Sequence, residues 1–523
     1  MTGLIPARVS PSFPGLSPVP SRLKSGLTLV GVLIVVAVSL TGCLGTGGIA
    51  PQQARLDANA LNPGAALAQA RREAGWPRES WWKQYRDPQL DAWIARALAH
   101  SPSLDEAEAR VRQAMALAGV ARAAEAPQLG ASTRLDRQHW PDDALHGPGA
   151  LGGSSHWNSD AGLGLRYALD LWGRERSASE GARHAAYATA AEGRVVQLEL
   201  ERNIVLVYVQ LALLHAERDI SAATLAQQEH VLALARRRLA GGLGTAFEVS
   251  QASAPLPETR RQIEALDARI ALAGNQLAAL AGQGPGAAAA LQRPNLQLSA
   301  QPTLPAVLPA DLLGRRPDVV ARRWQVAARA SGVDVARADF YPNIDLVASL
   351  GFSAVGGGAQ ALLQANKLGG SVGPALSLPL FDGGRLRGRL GAASAAYDAA
   401  VARYNQTLIT ALREISDQLI RLRSLDAQQR LAAEALATAE DTLRIAEQAW
   451  RGGLTDYLAV LEAQTRLFDQ QRVQQQVLAA RLAAHAELMA ALGGGLLDPQ
   501  RSPAEHLLEP RRVPLAHAGA APR

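Results

Sequence analysis

The 523-residue chain repeats part of itself, and this duplication limits its possible folds more than any other feature. The sequence VARA at Val120–Ala123 returns at Val335–Ala338, and GGL at Gly241–Leu243 returns at Gly452–Leu454. The two pairs are offset by 215 and 211 residues, so one unit occurs twice in register. Such a unit is far longer than the repeats of about 20 to 50 residues that build solenoids. The pattern therefore predicts one architecture made of two similar halves.

Each copy contains one very long predicted helix, followed by a glycine pair and a second helix that returns beside it. The long helices run from about Arg174 to Ala240 and from about Arg385 to Trp450, and their Ala, Leu, Gln and Arg residues favour helices. Each would span about 100 Å at 1.5 Å per residue. The return helices are predicted at about Thr245–Ala281 and Asp456–Leu492.

Apolar residues in the long helices recur at alternating intervals of four and three, the heptad pattern of coiled-coil packing. With only 4% aromatic residues, close helix–helix packing must supply most of the burial. Pro255 and Pro257 predict a kink in the first return helix. An ordinary coiled coil or helical bundle would show the same heptad pattern of apolar residues. The heptad residues are Leu200, Ile204, Val207, Leu211 and Leu214, and then Leu408, Leu412, Ile415, Leu419 and Leu422.

Each copy also contains two segments of about ten residues with strand character, the length of a membrane-spanning β-strand. Apolar residues alternate with small or polar ones at Leu163–Leu169, Ile344–Phe352 and Val372–Leu380. A soluble strand with one buried face is the alternative for any one segment. Lipid does not tolerate open strand edges, and membrane barrels begin at about eight strands. Four strands in one chain therefore require an oligomer to close a barrel.

The N-terminus has the features of an export signal. Arg22 and Lys24 precede an apolar run at Leu27–Leu40, which is too short for a confident membrane span. The run ends at Cys43 in a sequence that resembles the lipobox of bacterial lipoproteins, where the cysteine becomes the lipid-bearing mature N-terminus. Leu44 follows in place of aspartate, which in that class implies sorting to the outer membrane. A buried small cysteine is the alternative.

Composition argues against several other functions. The formal charge of +6 comes almost entirely from arginines, which alternate with acids along helices, so we expect no nucleic-acid binding. With one cysteine there is no disulfide framework or thiolate metal site. The scattered histidines form no His-x-x-x-His pair, and there is no P-loop or Gly-x-Ser-x-Gly elbow. We therefore predict no enzyme, cofactor or metal site.

The pattern of repeats and linkers also predicts the organisation of the chain. Residues after Cys43 are rich in Ala, Gly, Gln and Pro, and the C-terminus is rich in Pro and Arg, as is typical of flexible segments. The predicted segments are a signal peptide at 1–42, a flexible lipidated tether at 43–75, a first repeat at 76–290, a linker at 291–310, a second repeat at 311–495 and a disordered tail at 496–523.

Several motifs together resemble the outer membrane efflux proteins, over roughly residues 76–495. By these motifs the chain is identified as a TolC-like outer membrane factor of the lipoprotein NodT branch. The motifs are Trp81-Trp82 with Asp87-Pro88, YALDLWGR at Tyr167–Arg174, RRPDV at Arg315–Val319, LPLFDGGR at Leu378–Arg385 and YLAVLEAQ at Tyr457–Gln464.

The resemblance implies a mainly α fold with a membrane β-barrel. Three chains would form a homotrimer with twelve strands in the outer membrane lipid, anchored by acyl chains, above a long α-helical barrel in the periplasm. Such a channel docks on a periplasmic adaptor protein and an inner membrane efflux transporter, and lets small toxic compounds or drugs out of the cell.

In this family the two glycine-containing turns form the periplasmic entrance of the pore. By this resemblance Glu462 stands where an aspartate is more usual, and Glu248 occupies the equivalent place in the first copy. Ala459 stands where some relatives carry a second acid. A ring of carboxylates would favour cationic permeants and could bind divalent ions. Ordinary solvated acids on a helix surface are the alternative for both glutamates.

Three alternative functions follow from the same features. A type I protein secretion channel would share the architecture. A periplasmic adaptor would show one helical hairpin flanked by lipoyl-like β segments, without the duplication. A structural coiled-coil lipoprotein would lack the paired strands.

Overall fold

The computed structural model describes most of the two repeats. The predicted signal peptide, Cys43, part of the predicted linker and nearly all of the predicted tail lie outside the described residues. The described residues are 45–57, 61, 76–141, 152–298, 312–355 and 364–497.

Both halves contain a helix, two strands, a very long helix and a return helix in that order, as the sequence predicts, and the first half has an additional helix at its start. The first half comprises α1 Pro88–His100, α2 Pro102–Ala123, β1 Gln128–His139, β2 Ser155–Ala168, α3 Arg174–Ala240, α4 Ala246–Ser253 and α5 Leu256–Leu280. The second half comprises α6 Pro317–Ala338, β3 Asn343–Val355, β4 Leu368–Ser377, α7 Arg385–Arg451 and α8 Tyr457–Ala491. Short helical turns lie at Trp81–Tyr85, Pro285–Ala290, Leu312–Arg315 and Ala365–Lys367.

The long helices α3 and α7 begin at equivalent turns. Gly173 (φ 70°) and Gly384 (φ 90°) precede them in the left-handed conformation, which glycine adopts without a Cβ penalty. An aspartate caps each helix: Asp170 accepts two amide hydrogen bonds of 2.9 Å from the first turn of α3, and Asp382 does the same for α7 at 3.0 and 2.8 Å. The two 67-residue helices confirm the predicted lengths.

The first return helix is broken, as its prolines predict. The helix α4 ends at Ser253 and α5 starts at Leu256, because proline lacks the N–H needed for the helical ladder. In the second half α8 runs unbroken for 35 residues. The two halves therefore differ where each long helix turns back.

The predicted heptad residues form the main helical seam. Nine of the ten are buried, and Val207 packs half-buried against the same core. Along its first part α3 packs between α2 and α6, and along its second part between α5 and α8, while α7 packs against α6 and α8. The burial of the heptad residues confirms the predicted packing face of the long helices, and the helices form a layer one helix thick.

The four strands form one antiparallel sheet in the order β1-β2-β3-β4. Its register pairs Gly130 with Gly164, Gly164 with Ser349, and Ser349 with Ser371. Because β1 and β4 are at the ends of this order, each has one edge with no strand beside it among the described residues.

The fourth strand begins and ends earlier than predicted. It spans Leu368–Ser377, whereas the alternation of leucines suggested 372–380. Pro374 lies inside the strand opposite Leu346, and within sheets proline is largely confined to edge strands such as β4 of this four-stranded sheet. Pro379 lies beyond the strand end and excludes the last leucines from the ladder.

The segment 45–57 differs from the predicted flexible tether. The amide of Gln52 donates to the Asp398 carboxylate and the amide of Leu56 donates to Asn405 Oδ1, each at 2.9 Å. The backbone is therefore fixed along the surface of α7. Composition could not predict this, because the acceptors belong to a helix more than 300 residues away.

The opening motif of the fold contributes a buried polar cluster to the core. Trp81 Nε1 donates to Glu201 at 3.3 Å, and Gln197 donates to the other carboxylate oxygen at 2.9 Å. Burial raises the pKa of the Glu201 carboxyl to about 8, and these two hydrogen bonds oppose the shift. Nearby, Tyr85 donates to a backbone carbonyl of α8 at 2.7 Å, and burial lowers the pKa of His485 to about 4.

We predict that these buried groups make stability depend on pH. Between its ordinary pKa and about 8, Glu201 ionises in the unfolded chain but stays protonated in the folded one, so stability falls as pH rises. His485 acts in the opposite direction, but only below its ordinary pKa of 6.5. From pH 6.5 to 8 we expect the free energy of unfolding to fall by up to roughly 2 kcal/mol.

Unfolding of the purified protein in detergent, followed by its helical signal across this pH range, measures the effect. Glu201→Gln should flatten the pH dependence, whereas Glu199→Gln, at an exposed position on the same helix, should leave it unchanged. An equally steep slope in Glu201→Gln would contradict the assignment.

Candidate functional site

The two faces of the sheet differ sharply in polarity. One face carries large apolar side chains that are exposed, and the opposite face carries charged, hydroxyl and glycine residues. Residues on the first face include Leu129, Leu163, Leu346, Leu350, Val372 and Leu376. Residues on the second include Arg134, Asp136, Asp160, Arg166, Asp345, Ser349 and Ser371. Such a sheet suits a wall between lipid and water.

Glycines on the polar face bring two strands unusually close. A Cβ added to Gly351 would lie 2.7 Å from the Gly162 Cα and 2.7 Å from the Ala161 carbonyl oxygen. Only glycine fits there, and such positions mark tight bends in sheets. The small residues therefore allow the sheet to curve towards its polar face.

Side chains on the polar face form hydrogen bonds across strands. Arg166 donates to Asp345 at 2.7 Å, and Ser353 donates to Asp160 at 2.7 Å. Towards the outer end, Asn158 donates to Asp136 at 3.3 Å. The polar face therefore carries charges of both signs that pair with each other across strands, with Asp345 buried beneath Arg166.

At the far end of the long helices, both hairpins turn through the same backbone motif. The amide of Leu243 donates to the Arg238 carbonyl at 2.9 Å, and that of Leu454 donates to the Ala449 carbonyl at 2.8 Å. The preceding glycines have φ values of 72° and 73°. These are Schellman turns, which satisfy the last helical carbonyls and end the helix. They explain why the repeated glycine pair breaks each helix.

Each hairpin tip exposes a pair of large apolar residues at equivalent positions. Leu243 is 77% exposed and Phe247 is similarly exposed in the first hairpin, and Leu454, at 85%, and Leu458 occupy the same positions in the second. Exposed apolar clusters of this kind mark interaction surfaces. We call these four residues the tip patch.

The structure places Glu248 and Glu462 on different hairpins and in different roles. Glu248 belongs to a capping box: its carboxylate accepts from the Thr245 amide at 3.3 Å, and its own amide donates to Thr245 Oγ1 at 3.2 Å. Glu462 is exposed between buried Leu461 and Ala463. In the described part of the chain neither glutamate forms an ion pair with an arginine.

Contacts between the hairpins were not evident from the sequence. Gln227 of α3 donates to the Leu461 carbonyl of α8 at 2.9 Å, and the ring of His230 lies 5.7 Å from that of Tyr457. The ring of Trp450 also packs against that of Tyr457, with ring centroids 4.9 Å apart. These contacts hold α3 against α8, so the two tips are fixed relative to each other.

Basic residues near the first tip were also missed, although the sequence shows them directly. Three consecutive arginines, Arg236–Arg238, are exposed in the last turn of α3, where cations complement the helix dipole. The first tip is therefore basic, whereas Glu462 makes the second more acidic.

The helices in the described ranges contain no apolar stretch long enough to cross a membrane. The same residues contain no group of three or more metal-ligating side chains placed to hold an ion.

Comparison with known proteins gives consistent matches along the chain. Residues 93–283 and 308–494 match the family model described as Outer membrane efflux protein. The fusaric acid resistance protein FusA of Burkholderia cepacia is 46% identical over 483 residues, covering 90% of this chain and 88% of FusA. The multidrug resistance outer membrane protein MdtP of Escherichia coli (strain K12) is 33% identical over 429 residues, covering 81% of this chain and 87% of MdtP.

A solved structure resembles the fold over most of its length. The crystal structure of the outer membrane protein VceC from Vibrio cholerae superposes with a TM-score of 0.74 at 35% sequence identity. The match covers 80% of this chain and 100% of VceC.

We predict that Glu248 acts through its hydrogen bonds as a helix cap. Thr245→Ala should destabilise the start of α4 by about 1 kcal/mol, because it removes the cap acceptor. Glu248→Gln keeps an acceptor for the Thr245 amide and should leave α4 protected, whereas Glu248→Ala should not. Hydrogen exchange of peptides covering α4, read by mass spectrometry, separates these variants. Equal loss of protection in Glu248→Gln would show that the charge matters instead.

Proposed function

Since the chain belongs to the outer membrane efflux protein family, we propose that it forms the exit channel of a tripartite efflux pump for small toxic compounds. Like its relatives and structural neighbours, it is an outer membrane channel protein with periplasmic helices, and these proteins are channels and not enzymes. The predicted outer membrane efflux family, fold class and efflux function are thereby confirmed, and the lipoprotein NodT branch stays a prediction.

The sheet carries this proposal most directly. Its apolar face is exposed, its polar face carries charged, hydroxyl and glycine residues, and among the described residues β1 and β4 each leave an edge unpaired. Four strands cannot close a membrane barrel, and lipid leaves no alternative partner for their backbone groups. A homotrimer would join β4 of one chain to β1 of the next and complete twelve strands.

The tip patch supports docking to a second protein in the periplasm. Each chain presents two such tips, so a trimer would present six in a ring. Apolar side chains as exposed as Leu243 and Leu454 gain by burial against a partner. We infer that a periplasmic adaptor covers this ring and connects the channel to an inner membrane efflux transporter.

The names of the relatives suggest the class of permeant. One relative is named for fusaric acid resistance and another for multidrug resistance, and neither name refers to protein secretion. We infer that this chain passes small organic molecules, including acidic ones.

We also propose that Glu462 lines the entrance of the pore. Its exposed carboxylate near the hairpin turn supports this role, whereas the capping hydrogen bonds of Glu248 favour a structural one for that residue.

Glu462→Gln should reduce the preference of the channel for cations, measured as the reversal potential of single channels in a salt gradient. Glu440→Gln, an exposed acid farther from the tip, is the control. An unchanged potential in Glu462→Gln would remove it from the pore.

Cys43 is proposed to carry the lipid anchor. In support, Arg387 Nε donates to the Gly45 carbonyl at 3.0 Å, so the chain two residues after Cys43 lies at the first turn of α7, near the sheet. Mass spectrometry of the mature N-terminus should find acylated Cys43. A mature chain that retains residues before Cys43 would refute the anchor.

The efflux proposal is tested by complementing a strain that lacks the gene. The wild-type chain should restore growth in fusaric acid, because export lowers the internal concentration. Leu243→Glu combined with Leu454→Glu should abolish this protection without reducing the amount of protein in the outer membrane. Leu272→Glu, at an exposed position on α5, should protect as well as the wild type.

If the wild-type chain leaves the sensitivity of the strain to every toxic compound unchanged, the proposed function fails. If the tip variant protects fully, only the docking surface fails.

A further inference from the structure

A cavity of about 250 Å³ lies where the strands meet the long helices. It is formed by the turn before α3, the turn after α6 and the first turn of α7. These segments are distant in sequence but meet where the sheet ends. The side chains that matter are Trp172, Arg174, Asp339, Tyr341, Arg385 and Arg389.

Three arginines and two aspartates line the cavity, both aspartates are already occupied, and Arg174 is also paired with Glu175. Asp339 accepts from Arg174 at 2.8 Å and lies 3.7 Å from Arg389. Asp170, which also lines the cavity, caps α3 with both oxygens. Arg385 forms no ion pair within the described ranges, and its guanidinium offers donors in a planar fork that matches a carboxylate. The guanidinium of Arg385 can therefore donate to a carboxylate ligand, with the Asp382 carboxylate as a nearby opposite charge.

An aromatic surface lies beside these cations. The rings of Trp172 and Tyr341 stack with centroids 4.7 Å apart and planes 20° apart. The indole N–H donates to the Pro342 carbonyl at 2.8 Å, so the polar atom of Trp172 is satisfied. The two side chains are nevertheless 45% and 44% exposed. A flat aromatic ligand could stack against this surface.

Two observations indicate that the cavity faces the interior of the proposed pore. Asn343 and Ser377 line it, and by strand register both belong to the polar face of the sheet. On α7, Arg385 and Arg389 lie about 160° around the helix from Arg387, at 100° per residue. Arg387 contacts the N-terminal segment, which must run outside the channel if it leads to a lipid anchor.

We propose that this cavity binds aromatic carboxylates on their way through the channel. The guanidinium groups of Arg385 and Arg389 would hold the carboxylate, and the exposed aromatic pair would hold the ring. A trimer would place three such sites around the pore where the helical part meets the barrel. The inference rests on the proposed function and specifies one class of permeant for it.

Equilibrium dialysis of the full-length protein in detergent, with benzoate as the probe, tests the site. Benzamide has nearly the same shape without the charge, so it measures the contribution of the arginines. We expect the wild type to bind benzoate about tenfold more tightly than benzamide. Arg385→Gln should remove most of this preference without breaking an ion pair. Arg387→Gln, on the opposite side of the same helix, should keep it.

A second comparison tests the aromatic part of the site. Trp172→Leu should weaken binding of both benzoate and benzamide several-fold, since both stack through the ring. Equal binding of the two probes by the wild type, or a full preference for benzoate in Arg385→Gln, would overturn the proposal. So would displacement of benzoate by equimolar inorganic phosphate together with unchanged benzoate binding in Trp172→Leu, because that result describes a simple anion site.

These outcomes can be separated from a failure of the proposed function. A trimer that conducts ions and restores growth, but binds benzoate no better than benzamide, refutes the site alone. A monomer without channel activity refutes the channel itself.

Discussion

The structure depends on one constraint, which is that backbone hydrogen-bonding groups at a strand edge cannot be left exposed to lipid. One chain supplies only four strands, and its sheet ends at β1 and β4 with no partner among the described residues. The exposed apolar face of the sheet suits lipid, and the proposed homotrimer would pair the open edges with other copies of the chain. The helices follow from the same condition, because a layer one helix thick encloses a space only when several chains complete it.

Duplication supplies the two helical hairpins of each chain. The two copies have diverged at the hairpin tips, where docking and entry are proposed. The Schellman turns and the tip patch are shared. In the first copy prolines break the return helix, and Glu248 is used as a cap at its new start. In the second copy α8 is continuous, which leaves Glu462 exposed on a rigid helix. One architecture thus presents two chemically different tips.

Charge is distributed unevenly along the path proposed for the permeant. The proposed entrance combines Glu462 with the exposed arginines Arg236–Arg238, so the first tip would offset the acidic character of the second. At the other end of the helices the cavity is lined by three arginines, Arg174, Arg385 and Arg389, and by two aspartates. An organic anion would therefore meet a mixed field at the entrance and a basic one before the barrel.

The sequence by itself determined the elements of this protein, because helices and strands are encoded by local periodicity. The heptad residues, the glycine turns and the prolines of the first return helix were all readable, and the repeated motifs indicated the family. Tertiary structure decided what depends on distant segments meeting. It placed residues 45–57 on α7, since Asp398 and Asn405 accept hydrogen bonds from a backbone whose composition suggested flexibility. It also brought Arg385 and Arg389 of α7 beside the turn that precedes α3, because side chains 200 residues apart become neighbours only through the register of the sheet.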